Sequence, residues 1–205
     1  TASGGPDTKV HHNRFERVVL QESSPQNNFR RIIAARLAPG NFCNHTINYT
    51  TTQHSVVDLS LVLFVLNSAF AEWYFRLGST NAHVSQYQLK MLPCPRFGHG
   101  DRSLNRGQVD AIVEAVTDED FEAAESLAIG LAEVGSGATI EAVIIELVRA
   151  IEAAEEARGV ITRAQRAQLS ATGQSIQVIL DKVLLTLIGL GSRYTEIRER
   201  LALML

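Results

Sequence analysis

From position 76 to position 95 the chain reads Arg-Leu-Gly-Ser-Thr-Asn-Ala-His-Val-Ser-Gln-Tyr-Gln-Leu-Lys-Met-Leu-Pro-Cys-Pro. Arg76, Ser79, Thr80, Asn81, His83, Ser85, Gln86, Gln88 and Lys90 make this a dense run of hydrogen-bonding side chains. Asn and Gln bond bidentately to adenine edges and Arg to guanine, while Ser, Thr and Lys reach phosphate. Upstream, Arg30, Arg31, Arg36, Asn44, His45 and Asn48 bring the same chemistry. The opposing reading is that a polar loop is more often only a connection.

Other chemistries are poorly represented. There is no Gly-rich phosphate loop, no G-x-G-x-x-G after a strand, no H-E-x-x-H and no G-x-S-x-G. His11 and His12 are adjacent, so on a strand they point to opposite sides and share no ion. Cys43 and His45 are two apart and share a face if that segment is a strand, but no further ligand lies nearby in sequence. Pro6-Asp7-Thr8-Lys9 lacks the second acid that a divalent cation in a nuclease needs. The acids between 119 and 125 sit at a helix start, where they complement the dipole. No metal is expected.

The elements that must position these residues are legible in outline. Residues 15–22, 30–37 and 43–51 read as strands separated by Ser-Ser-Pro-Gln-Asn-Asn and Pro-Gly-Asn turns. Asp58 is a plausible cap for a helix running to about Leu77, stopped by Gly78 and apolar nearly all round. Its polar residues Ser68, Glu72 and Arg76 form one stripe. Residues 86–92 read as extended and run into Pro93-Cys94-Pro95, where helix is forbidden. From Asn105 on everything reads as helix. Ile140, Ile144, Leu147, Ile151 and Ala154 form one apolar face. Thr117 and Asp120 resemble a capping box, Gly135-Ser-Gly137 breaks a helix, and a last amphipathic helix spans 175–188 before a short tail helix. The expected fold is α+β: a small mixed-strand unit with a buried helix (1–104), then an all-α bundle or hairpin (105–205).

Charge divides the chain at the same boundary. Residues 1–104 hold 10 Lys/Arg and 6 Asp/Glu, and residues 105–205 hold 9 and 16. Eleven of the 13 aromatics and all six histidines lie in the first half. A basic, aromatic half facing a polyanion explains this, and so does the preference of aromatics for strands and of Glu and Ala for helices. The 205 residues, 45% hydrophobic, suffice for a sizeable core. Two cysteines cannot make a disulfide scaffold. The opening Thr-Ala-Ser-Gly-Gly-Pro has neither an initiator Met nor a signal peptide's apolar run and reads as a cut end. The expectation is therefore a piece of a longer protein in a reducing compartment. The most apolar stretches, 59–66 and 183–190, are far shorter than the roughly 20 residues a bilayer needs, so no membrane partner is expected.

Several motifs together resemble a known family. Leu59-Ser-Leu-Val-Leu-Phe-Val-Leu-Asn67-Ser68-Ala-Phe-Ala-Glu-Trp73-Tyr-Phe75 is followed by Arg-Leu-Gly-Ser79-Thr80-Asn81, Val84-Ser85-Gln86-Tyr87-Gln-Leu89 and Leu92-Pro93-Cys-Pro95. This arrangement resembles the TaqI-like target-recognition domain of adenine-specific DNA methyltransferases and type IIG restriction–modification enzymes. Arg31-Ile-Ile-Ala-Ala-Arg36 and Phe42-Cys-Asn-His-Thr-Ile-Asn-Tyr49 look like that family's Arg-bearing and Asn-rich strands. Asp181-Lys-Val, followed by Ile188-Gly-Leu190, is similar to its ending, with Ile188 in place of the usual Tyr. The resemblance covers roughly residues 12–97 and, weakly, 175–200; it does not explain 105–170.

The resemblance implies a double-stranded DNA partner, a prokaryotic cytoplasmic setting and an S-adenosylmethionine-dependent parent protein. This chain has no Asn-Pro-Pro and no methyl-donor motif, so catalysis is expected on an upstream methyltransferase domain, with no cofactor in this fragment and no catalytic residues. The expected DNA contacts are Arg30, Arg31, Arg36, Asn44, His45, Asn48, Arg76, Ser79, Asn81, His83, Ser85, Gln86 and Lys90. Asn67 is expected to fix backbone, and Trp73, Tyr74 and Phe75 to be core. The rivals are a helical docking module without DNA affinity and a hydrolase or nuclease using Cys43 with His45 or the two adjacent histidines.

Overall fold

The computed structural model describes residues 8–79, 82–95, 103–159 and 168–204. The fold is α+β. A short helix α1 (Lys9–His12) precedes three antiparallel strands, β1 (Arg17–Gln21), β2 (Ala34–Leu37) and β3 (Ile47–Thr51), in the order β2-β1-β3. Helices α2 (Leu59–Leu66), α3 (Ala69–Gly78) and α4 (Gln86–Lys90) follow. The second half is α5 (Arg106–Thr117), α6 (Phe121–Val134), α7 (Gly137–Ala157) and α8 (Ala171–Leu187), then a tight turn at Gly191–Arg193 and α9 (Tyr194–Ala202).

Alternation sets the sheet. Val18 and Leu20 of β1 turn into the core, and their partners Arg36, Ala34, Thr50 and Asn48 fix the register on both sides. The second strand is shorter than the sequence suggests. The Arg31 and Ile32 backbone N–H groups donate to the Glu72 carboxylate (3.0 and 2.9 Å) instead of to a neighbouring strand.

The expected single helix from Asp58 to Leu77 is two helices. Asp58 does cap α2, accepting from the Ser60 N–H (2.7 Å). At Asn67 the chain turns, because that carboxamide bonds both the N–H (3.0 Å) and the C=O (2.9 Å) of Ala34 on the open edge of β2. Ser68 then caps α3, accepting from the Ala71 N–H (3.0 Å). Residues 86–90 are helical rather than extended, with the Ser85 hydroxyl accepting from the Tyr87 N–H. The capping box expected at Thr117 is replaced: Thr117 donates back to Val113 C=O, and Asp120 alone caps α6. Ser136, between two glycines, caps α7 as its break signal suggested. Gly189 closes α8 in the left-handed region (φ +78°).

The two halves share one continuous core. Ile140, Ile144 and Leu147 of α7 pack with Ile176, Ile179, Leu180, Val183 and Leu184 of α8, and this cluster runs on into Phe64, Phe70, Val18 and Leu20. Across the seam, α2 lies on α7, and α3 lies on α8 and α9. Polar links cross it too. Arg36 bonds Glu152 (2.8 Å), and the Ala69 N–H donates to Asp181 (2.9 Å). No helix among the described residues is long and apolar enough to cross a membrane.

Candidate nucleic-acid interface

The arginines expected to meet DNA are engaged within the protein. Arg31 is only 2% exposed; its guanidinium lies over the Phe75 ring (4.9 Å) and donates to Ser79 Oγ (2.9 Å). Burial, with Arg76 adding repulsion, lowers its pKa. Arg36 is held by Glu16 (2.7 Å), Glu152 (2.8 Å) and Ser60 (2.7 Å). Burial opposes its charge, and hydrogen bonds from the guanidinium to Glu152 and Glu16 more than reverse that effect. Arg76 bonds Glu72 (2.6 Å) and the carbonyls of Asn28 (2.7 Å), Gln26 (3.1 Å) and Met204 (3.4 Å). Arg30 donates to Asn67 C=O (2.6 Å), and burial lowers its pKa. Arg30 and Arg76 thus hold backbone carbonyls that lie outside the sheet ladders, whereas Arg31 and Arg36 bond side chains. The expectation that Arg31, Arg36 and Arg76 are presented outward is therefore corrected, and Ser79 is placed as a partner of Arg31.

The remaining expected contacts gather around β3, an edge strand. Gln86, exposed at the start of α4, donates from Nε2 to Asn48 Oδ1 on β3 (3.0 Å), so two carboxamides lie side by side. Glu22 N–H bonds Thr46 C=O (2.9 Å) and Val84 N–H bonds Glu22 C=O (2.8 Å), while Ser23 bridges His83. These bonds align the start of β3 with residues 83–86. His83 and Lys90 are exposed; Ser85 is committed to its helix cap. Asn44 and His45 are exposed in the turn before β3, where the Asn44 side chain accepts from the His45 N–H (2.6 Å). Asn81 lies outside the described residues.

Three residues were missed as candidates. Tyr87 is 72% exposed beside Gln86, and a free aromatic face of this kind stacks on bases. Lys9 opens α1 and Arg14 follows its cap, and α1 meets β3 through His12 Nδ1 and Tyr49 OH (2.9 Å). Both cations are exposed and make no ion pair among the described residues. Their shared sequence signal is a basic residue on each side of the His-His pair, and Lys9 also closes the Pro6-Asp7-Thr8-Lys9 set. Trp73, Tyr74 and Phe75 are core or packed against it, as expected.

The rival chemistries fare as follows. His11 and His12 lie on a helix, not a strand, and His12 packs edge-on against Tyr49 and His54. Cys43 and His45 precede β3 and so do not share a strand face. Among the described residues no three His, Cys, Asp or Glu side chains group as metal ligands. Comparison with family models, with curated proteins and with solved structures finds no match to this chain.

Proposed function

We propose that this chain is a DNA target-recognition module that reads duplex DNA with the edge formed by β3 and α4. On this reading it is a non-catalytic part of a site-specific adenine DNA methyltransferase or restriction–modification protein. The observation that carries the proposal is the Asn48–Gln86 pair, two adjacent carboxamides on an exposed edge with Lys90, His83 and Tyr87 around them. A carboxamide offers one donor and one acceptor in the geometry that adenine N7 and N6 complement. Lys90, Lys9 and Arg14 supply sequence-independent attraction to phosphate. The helical half, joined to the sheet through Arg36–Glu152 and Ala69–Asp181, acts as a rigid buttress. Methyl transfer, with S-adenosylmethionine, belongs to the upstream domain of the parent protein.

Selection from a random-sequence duplex pool tests this reading. Enrichment of adenine at fixed positions is expected, and Gln86→Ala should relax it at one of them, a loss of about 1–3 kcal/mol of discrimination. No enrichment, together with capture of a protein domain instead, would favour the docking-module reading.

A further inference from the structure

We propose that the cavity between α3, α8 and α9 is a binding site for a small zwitterion, an α-amino acid with an apolar side chain. This inference stands independently of the DNA-reading proposal. The cavity measures about 360 Å³, within the range of small-molecule sites. Its deep wall carries Asp181, which is 3% exposed. Asp181 Oδ1 accepts from both the Ala69 N–H (2.9 Å) and Gln177 Nε2 (3.1 Å), whereas Oδ2 accepts no hydrogen bond among the described residues. Arg30 also lines the cavity and uses one nitrogen, Nη2, on Asn67 C=O. At the mouth stands Arg198, exposed and without a hydrogen bond or ion pair among the described residues.

The three charged groups act on one another through space, yet Asp181 forms no ion pair with either arginine. Arg30 is tied to Asn67 C=O and Arg198 stands in solvent, so neither neutralises Asp181 by contact, and all three border the same cavity. A molecule with a cationic donor at one end and an anionic acceptor at the other satisfies both walls together. The ammonium of an amino acid meets Asp181 Oδ2 and the free oxygen of Gln177, and its carboxylate meets the planar donors of Arg30 and Arg198. Glu72, also on the wall, takes no part. Its carboxylate is occupied by the Arg31 and Ile32 N–H groups and by Arg76. The rest of the lining, with Leu169, Val178 and Leu201, suits an apolar side chain.

Calorimetric titration of the whole chain with leucine tests the assignment, with 3-methylbutylamine and 4-methylpentanoate as analogues that lack the carboxylate and the ammonium. Saturable leucine binding is expected, and each one-ended analogue should bind at least tenfold more weakly. Arg198→Ala, a surface change that leaves the fold intact, should also weaken leucine at least tenfold. Val178→Trp, which fills the cavity, should abolish binding. Absence of saturable binding by leucine and by a panel of other apolar amino acids would overturn the proposal, as would affinity unchanged in Arg198→Ala.

Discussion

Charged residues in the two halves do opposite work. In the helical half, Arg106–Asp110, Arg149–Glu146 and Arg200–Glu196 are surface pairs one turn apart, with much of each side chain in water. In the sheet half, Arg76–Glu72 has the same one-turn spacing but is buried, its side chains 6% and 1% exposed. Spacing is therefore no guide to value. Where the backbone is regular, its own hydrogen bonds hold it, and these three pairs stand on its surface. Where it is irregular, as between β1 and β2, charged side chains replace the missing ladder. Among the described residues of the first half, five arginines are thus engaged internally, and the cations that face solvent without an ion pair are Lys9, Arg14 and Lys90.

The sharpest break in this comparison is Glu72→Ala. It strips partners from two buried N–H groups and a buried guanidinium, and the expected loss is about 3–5 kcal/mol by urea denaturation. Retention of full stability would show that these residues do not carry the segment.

Asp181 comes next. Burial pushes its pKa up to about 6, from 3.8 for a free side chain. Between pH 4 and 6 the native state holds the proton that the unfolded chain releases, so this group makes stability fall as pH rises, by on the order of 3 kcal/mol in total. Asp181→Asn should therefore gain stability relative to the parent at pH 7 and match it near pH 4. Asp58 and Glu155 act in the other direction. Burial pushes them up, but hydrogen bonds from Ser60 and Ser170 hold both below their ordinary values, and their stabilisation is lost on acidification. They are common to both proteins, so the difference between the two denaturation profiles isolates Asp181.

Asn67→Ala should cost about 1–3 kcal/mol, because it leaves the Ala34 N–H and C=O without their carboxamide partner. Faster amide exchange at Ala34 would confirm the site of the loss. The smallest effect is expected in the helical half, where Asp110→Ala should change stability by less than about 0.5 kcal/mol.

What the sequence revealed divides along the same line. The amphipathic face of α7 and the existence of β1 were legible because each is set locally, one by a helical period and the other by the β-branched Val18 and Val19. The break at Asn67 and Ser68 was hidden inside an apolar run, although Asn-Ser in mid-helix is itself a capping signal. Residues 86–90 carried no apolar period, so only the Ser85 cap marked a helix. The Glu72–Arg76 stripe was readable from spacing; its burial was not. Arg36 finds Glu152 across 116 positions of chain, a pairing that no local pattern encodes. The arginines therefore read as a surface for a polyanion when most of them are internal braces, and Tyr87 read as one more residue in a polar loop.

The most direct test of the central claim is the salt dependence of duplex DNA affinity, measured for the chain and for Lys9→Ala/Arg14→Ala/Lys90→Ala. If these cations meet phosphates, affinity falls log-linearly with salt, and the triple variant loses about 0.9 from the slope for each contact removed, roughly 2–3 in all. An unchanged slope and affinity in the variant, or no binding to DNA even at low salt, would contradict the account.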